Sequence, residues 1–226
     1  MSLNDRQVDR YSRQIIVAGM GGRAQERLLA ARAIVVGVAG DIEAPIAYLA
    51  GAGVGEIAIA PCMDAAAYGS IIEHAAGLNP DVRVALAENG EADAGPAGAV
   101  LAILGGEAAR ARAARLLAAR PRTPAVIARV DVPPAIAVLA APPPCARCAD
   151  WAALAPMRGE VARTRRFVAM VATVEALKLL AGPAGLGGTG EQPARLVEFT
   201  GGGYAASTRV LARRVGATRC GCGDAA

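Results

Sequence analysis

The run Ala33-Ile34-Val35-Val36-Gly37-Val38-Ala39-Gly40-Asp41-Ile42, continued by Glu43 to Leu49 and by Gly51, Gly53 and Gly55 before Glu56-Ile57-Ala58-Ile59-Ala60, decides the fold. Four apolar residues read as a strand, the glycine-bearing residues 37–42 as a turn, the segment from about Glu43 to Leu49 as a helix, and the run ending at Ala60 as a second strand. Strand, turn, helix and strand within about 30 residues make a βαβ unit, the half-module of nucleotide-binding sheets. In a phosphate-binding turn, glycines let the backbone approach the phosphate and the helix start offers free N–H groups. Only Gly37 and Gly40 remain where a G-x-G-x-x-G pattern would sit; Ala39 stands at its second glycine position and Ile42 at its third. Asp41 reads as a helix N-cap, taking up the amides that a phosphate needs and repelling the phosphate as well. Two readings of Gly37, Gly40 and Asp41, a degenerate form of the nucleotide turn, stand side by side: a tight turn with an aspartate cap, or a functional phosphate loop.

Working outward, 226 residues suffice for one large domain with a substantial core. It divides into an N-terminal helical arm (1–32), a nucleotide-binding-like sheet (33–140) and a C-terminal portion (141–226). Hydrophobic residues make up 54% but aromatics only 3%, so the core is to be packed from Ala, Val, Leu and Ile. No apolar run reaches the roughly 18 residues needed to span a bilayer. The polar segment from Met1 to Arg13 is unlike a secretory signal, and the expected location is cytoplasmic. Net charge is +4, and of 24 basic residues only Lys178 is a lysine. Arg110, Arg112, Arg115, Arg120 and Arg122 lie along one helical stretch, with Arg163, Arg165 and Arg166 as a second group. With so few aromatics to stack on bases and acidic residues interspersed, these read as a solvated face or a surface for an acidic protein, not for nucleic acid.

Along the rest of the chain, residues 4–32 read as helical with a break at Gly19, Gly21 and Gly22. A short helix is expected from Ala65 to Ala76 and a strand from Val82 to Ala87, then a loop from Asn89 to Ala97. Next come a buried strand (Ala99 to Leu104), an arginine-studded helix (Glu107 to Ala119) and two further strands (Ala125 to Val130, Ala135 to Leu139). The longest helix spans Thr164 to Ala181, with Phe167, Met170, Val171, Val174, Leu177 and Leu180 as its core stripe. Arg195 to Phe199 and Tyr204 to Leu211 form a hairpin. The expectation is an α/β fold: a Rossmann-like, mostly parallel sheet flanked by helices, with antiparallel C-terminal strands. Of five cysteines, Cys145 and Cys148 form a CxxC and Cys220 and Cys222 a CxC; without a signal sequence, that pattern reads as metal before disulfide. A Cys₄ site would be a closed structural one, tying down the tail; the alternative is four free thiols. Cys62 reads as a small buried apolar residue, His74 as a helix residue without a partner, and Asp64, Glu73 and Asp131 as surface or capping groups.

Several stretches now appear in a telling order: Arg10-Tyr11-Ser12-Arg13-Gln14-Ile15-Ile16, Gln25-Glu26-Arg27-Leu28, the turn ending Ala52-Gly53-Val54-Gly55, the CxxC, Glu175-Ala176-Leu177-Lys178-Leu179-Leu180-Ala181-Gly182, and the final CxC. Together they resemble the ThiF/MoeB/HesA family, relatives of the ubiquitin-activating enzymes. The resemblance implies a homodimeric, zinc-stapled enzyme that adenylates the C-terminal glycine of a ubiquitin-like sulfur carrier with ATP and magnesium. It implies Cys145, Cys148, Cys220 and Cys222 as zinc ligands. Arg13 matches the arginine that reaches across the dimer to the partner's ATP phosphates.

The departures from that pattern are systematic. Pro61 stands where the family's second strand ends in a ribose-binding aspartate, with Asp64 nearby but displaced. The phosphate-contacting stretch and lysine that follow have no counterpart, and the magnesium-binding aspartate falls at about Gly105. The acceptor-cysteine region has Arg158, Gly159 and Glu160 instead. Phosphoryl-type chemistry depends on cations placed around phosphate oxygens. A pseudoenzyme is therefore expected: fold kept, ATP and magnesium not bound, and binding or scaffolding offered to a ubiquitin-like carrier or a paralogous enzyme, as a homodimer or heterodimer. Arg13 then stands between a finger offered in trans and an ordinary surface arginine. The alternative is a divergent but active adenylyltransferase.

Overall fold

The computed structural model describes residues 3–87, 98–130, 135–139, 164–182, 194–200 and 205–211. Helices α1 (Asp5–Ile15) and α2 (Gly21–Ala30) precede β1 (Arg32–Val36), and α3 (Ala39–Ala52) connects β1 to β2 (Glu56–Ala60). A 3-10 turn (Ala65–Tyr68) and α4 (Gly69–Leu78) lead to β3 (Arg83–Leu86). Then follow β4 (Ala99–Leu104), α5 (Glu107–Ala119), β5 (Ala125–Arg129), β6 (Ala135–Leu139), α6 (Thr164–Ala181), β7 (Arg195–Thr200) and β8 (Ala205–Val210). The loops 89–97 and 183–192 and the CxxC segment expected from the sequence lie outside the described residues, as does Asp131.

All eight strands form one sheet in the order β3-β2-β1-β4-β5-β6-β7-β8. β1 to β5 run parallel, and β6, β7 and β8 are added antiparallel. Apolar side chains alternate between two covered faces. Ala33, Val35, Leu101 and Ile103 join the core beneath α2, α3, α4 and α6, while Ile34, Val36, Val100 and Ala102 join the one beneath α5. Strands buried on both sides have no polar face, which is why β1 and β4 read as unbroken apolar runs.

Two expectations are corrected. α3 starts at Ala39, not near Glu43. Gly40 sits inside its first turn, where a Cβ would meet nothing within 4 Å, so glycine there does not mark a loop. The expected core stripe of α6 holds only in part: Leu180 is buried and Val171 and Leu177 pack against the core, but Phe167 and Val174 are 47% and 42% exposed, and Val168, Ala169, Ala172 and Ala176 are buried beside them. Both stripes have helical spacing, and the alanine-rich one goes inward because small side chains let α6 lie close on β4 and β5. Phe167 instead meets Phe199 edge-on, ring centroids 5.6 Å apart.

The C-terminal end of α3 is pinned by the sequence landmarks. A helix leaves its last carbonyls without intrahelical partners. Here three side-chain amides take three successive ones: Asn79 Nδ2 donates to Ala50 O (2.7 Å), Gln14 Nε2 to Gly51 O (3.2 Å) and Gln25 Nε2 to Ala52 O (2.9 Å). Gly53 follows in the left-handed region (φ 83°), and a Cβ on it would lie 2.7 Å from the Tyr11 hydroxyl. Tyr11 is fully buried; its hydroxyl accepts from Asn79 Nδ2 (2.9 Å) and donates to Asp81 (3.1 Å), which Arg10 also reaches at 3.4 Å. Arg27 likewise donates to Ala181 O at the end of α6, packed over Gly182 (φ 79°). Arg10, Tyr11, Gln14, Gln25 and Arg27 thus fasten the helices that carry the site at its other end.

Candidate nucleotide site

β1 is followed by a helix on one face of the sheet and β4 by a helix on the other, so the carboxyl ends of these neighbouring strands bound a crevice, the usual ligand position in such sheets. Gly37 leaves β1 there. A Cβ on Gly37 would stand 2.3 Å from Ile42 Cγ2 and 3.1 Å from Ile103 O. Glycine is needed at that point because the chain's own fully buried Ile42 presses against it.

Asp41 does not cap α3, contrary to expectation. Val38 is the N-cap residue and makes no side-chain capping bond, and Asp41 lies in the first turn with its amide donating to Val38 O at 2.9 Å. Its carboxylate is taken by Arg165, from the first turn of α6. Nη2 donates to Oδ2 at 2.7 Å and to Oδ1 at 3.0 Å, and Nε to Oδ1 at 3.2 Å. Nη2 also reaches Gly105 O at 3.3 Å. The pair is partly buried, with side-chain exposures of 12% for Asp41 and 34% for Arg165. A stronger partner than its own helix amides has claimed the carboxylate. Gly105, at the end of β4, makes room for this: a Cβ there would lie 1.7 Å from Asp41 Oδ2 and 2.5 Å from Arg165 Nη2. The Asp41 carboxylate therefore fills the space that a side chain at residue 105 would enter. Sequence reasoning placed Arg165 in a surface basic group; a spacing of 124 residues gives no local signal for its partner. In the other basic group, Arg120 is buried, so that group is not wholly a solvated face.

Tyr68 closes the back of the turn. Its buried hydroxyl donates to Gly37 O (2.9 Å) and accepts from the Cys62 amide (3.2 Å), and Cys62 Sγ lies 3.4 Å away. Burial, reinforced by the Cys62 side chain, pushes its pKa up to about 12. Cys62 is accordingly half-buried and hydrogen-bonded, not an inert core residue. Asp64 is exposed and caps the 3-10 turn through the Ala66 amide (3.0 Å), and Glu73 is on the surface, both as expected. Beside the turn, a cleft of about 300 Å³ is lined in part by Gly40, Asp41, Glu43, Pro45, His74 and Arg166. Pro45 has no N–H to return to the Asp41 carbonyl four residues back. Lys178, the one lysine of the chain, pairs with Glu175 at 2.9 Å. It sits 13 positions after Arg165 on α6, a rise of about 20 Å along the axis.

Arg13 lies on the exposed side of α1 with no ion-pair partner among the described residues. Cys145, Cys148, Cys220 and Cys222 fall outside the described residues, and among the described ones no group of three or more His, Cys, Asp or Glu is placed to hold a metal ion. No helix among the described residues is long and apolar enough to cross a membrane.

No family model matches the chain. A 60-residue segment, 26% of the chain, is 52% identical to the SAMP-activating enzyme E1 of Haloferax volcanii and covers 22% of it. A 57-residue segment, 25% of the chain, is 47% identical to the molybdopterin-synthase adenylyltransferase of Salmonella typhimurium and covers 23% of it. The matches thus span less than a quarter of either relative. Among solved structures, E. coli MccB with MccA shares the fold at a TM-score of 0.68 and 13% identity, over 96% of this chain and 75% of that one. PaaA follows at a TM-score of 0.60 and 13% identity, over 93% and 76%. The chain is thus similar over about a quarter of its length to a SAMP-activating enzyme and to a molybdopterin-synthase adenylyltransferase, and over nearly all of it shares the fold of MccB.

Proposed function

We propose that this chain is a ThiF/MoeB-like pseudoenzyme, a binding or scaffold subunit for a ubiquitin-like or sulfur-carrier protein or for a paralogous activating enzyme. The observation that carries this reading is the occupation of the crevice by the chain's own side chains. Asp41 and Arg165 fill the space at Gly105, and Ile42 fills the space at Gly37. The residues present do not fit ATP with magnesium. A metal-binding carboxylate at residue 105 is missing, the Asp41 carboxylate is taken by Arg165, and the single lysine is committed to Glu175.

The carrier partner follows from the resemblance and from the relatives' names, an E1 that activates SAMP and an adenylyltransferase for molybdopterin synthase. Zinc on Cys145, Cys148, Cys220 and Cys222 is proposed as a structural tie, a thiolate set that suits a closed tetrahedral site. A second reading, support of a paralogue in trans, draws on Arg13, which is exposed and without an ion-pair partner among the described residues. ATP–pyrophosphate exchange tests the assignment. The chain alone, with any carrier ending in Gly-Gly, gives no exchange above a no-protein blank; exchange that depends on the carrier restores the adenylyltransferase label. Exchange by a mixture with an active paralogue that rises with this chain and falls with Arg13→Ala favours the trans reading.

A further inference from the structure

We propose that Asp41 and Arg165 form an autoinhibitory latch: Arg165 is an oxyanion receptor at the mouth of the β1–β4 crevice, Asp41 occupies it as an internal ligand, and release of Asp41 exposes it to a phosphate-type anion. The inference rests on the reading that the site as it stands cannot take ATP and magnesium.

Three observations carry it. The guanidinium meets the carboxylate with three hydrogen bonds and is steadied by a fourth to Gly105 O, so its donors are already set in the geometry that planar oxyanions require. Residue 105 is a glycine with no room for a Cβ, so the crevice wall is shaped around the carboxylate and not around a side chain of its own. Asp41 also lines the open cleft, between Glu43 and Arg166, and the Arg165 side chain is itself 34% exposed, so the latch is within reach of solvent. A dianionic phosphoryl group offers more acceptor oxygens and more charge than the carboxylate that it displaces. The first turn of α3 carries no side-chain cap that such a group would have to displace as well. A bound carboxylate fixed to the chain is at high effective concentration and wins by default; removing it hands the receptor to the external anion.

The probe is inorganic pyrophosphate, titrated calorimetrically into the full chain and its variants at low ionic strength. Asp41→Ala binds pyrophosphate about tenfold or more tightly than the wild type, the scale expected of a charge-assisted bond set free. Asp41→Asn, which keeps the packing against Gly105 and loses the charge, changes in the same direction and serves if the alanine variant does not fold. Adding Arg165→Ala to either variant abolishes the gain. Natively folded Asp41 variants that bind no better than wild type overturn the latch, as does a gain that survives loss of Arg165. If wild type already binds pyrophosphate as tightly as the variants, the pair is not inhibitory and the proposal fails. Micromolar binding of ATP with magnesium to the wild type removes instead the pseudoenzyme reading beneath it, so the two failures are told apart.

Discussion

Replacing Arg165 with alanine strands the Asp41 carboxylate at 12% exposure and leaves Gly105 O without that donor. Two unit charges about 4 Å apart attract by about 4 kcal/mol at the effective dielectric of a protein surface, which sets a ceiling. Desolvation takes back much of it, and solvent screening at the 34% exposed guanidinium takes back more. Exposed pairs are worth about 0–1 kcal/mol, and breaking a buried pair costs about 3–5 kcal/mol. This pair lies between, so Arg165→Ala is expected to cost about 2–3 kcal/mol. Asp41→Ala costs less, about 1–2 kcal/mol, because the stranded guanidinium, at 34% exposure, turns toward water more readily than the carboxylate at 12%. Closing the cycle with the double variant returns a coupling of about 1–2 kcal/mol. For a chain of this size the Arg165→Ala loss lowers the melting temperature by roughly 5–10 °C. Urea unfolding is the assay, since guanidinium chloride would screen the pair. A coupling within about 0.5 kcal/mol of zero would mean that the pair is no more than a surface contact. A larger loss for Asp41→Ala than for Arg165→Ala would contradict the depth assigned to each partner.

Gly53→Ala forces a Cβ into a left-handed backbone and to within 2.7 Å of the Tyr11 hydroxyl; a loss of about 2 kcal/mol or more in urea unfolding is expected, and a loss under about 0.5 kcal/mol would remove Gly53 from the α3 terminus network. Tyr68→Phe loses the bond to Gly37 O and leaves the Cys62 amide without its acceptor, costing about 1–2 kcal/mol at neutral pH. Because the folded protein holds the Tyr68 proton up to about pH 12 against an ordinary value near 10, its share of stability is intact below about pH 10 and is lost as pH rises toward 12. The alkaline decline in stability is therefore shallower over that window in Tyr68→Phe, and unchanged steepness would contradict the assignment. Freshly purified protein carries about one zinc per chain by elemental analysis, and Cys220→Ser with Cys222→Ser abolishes it; zinc-free protein with four reactive thiols beyond Cys62 would refute the site.

Local sequence carried most of the fold. Apolar runs such as Ala33 to Val36, closed by Gly37, and Ala99 to Leu104, between Gly98 and Gly105, read as strands, and the glycine stop at Gly182 ends the longest helix at Ala181 as expected. Failures came where distant partners override local chemistry. Asp41 looks like an N-cap in any short window, and only the arrival of Arg165 from 124 residues away gives its carboxylate a better bond. Phe167 and Val174 look like core until the alanine stripe beside them is seen to lie on the sheet. Cys62 gains its partner from Tyr68, whose own position follows from a 3-10 turn that periodicity does not reveal. Losses at the candidate site were easier to read than replacements: Gly105 and Ile42 depart visibly from a working pattern, but what fills the vacated space is a property of packing.

Calorimetric titration of the unmodified chain with ATP and magnesium addresses the central claim most directly. With Asp41 and Arg165 joined across Gly105, no saturable binding is expected below about millimolar nucleotide, an affinity of only about 4 kcal/mol. A saturating isotherm with a micromolar dissociation constant and one nucleotide per chain would contradict it.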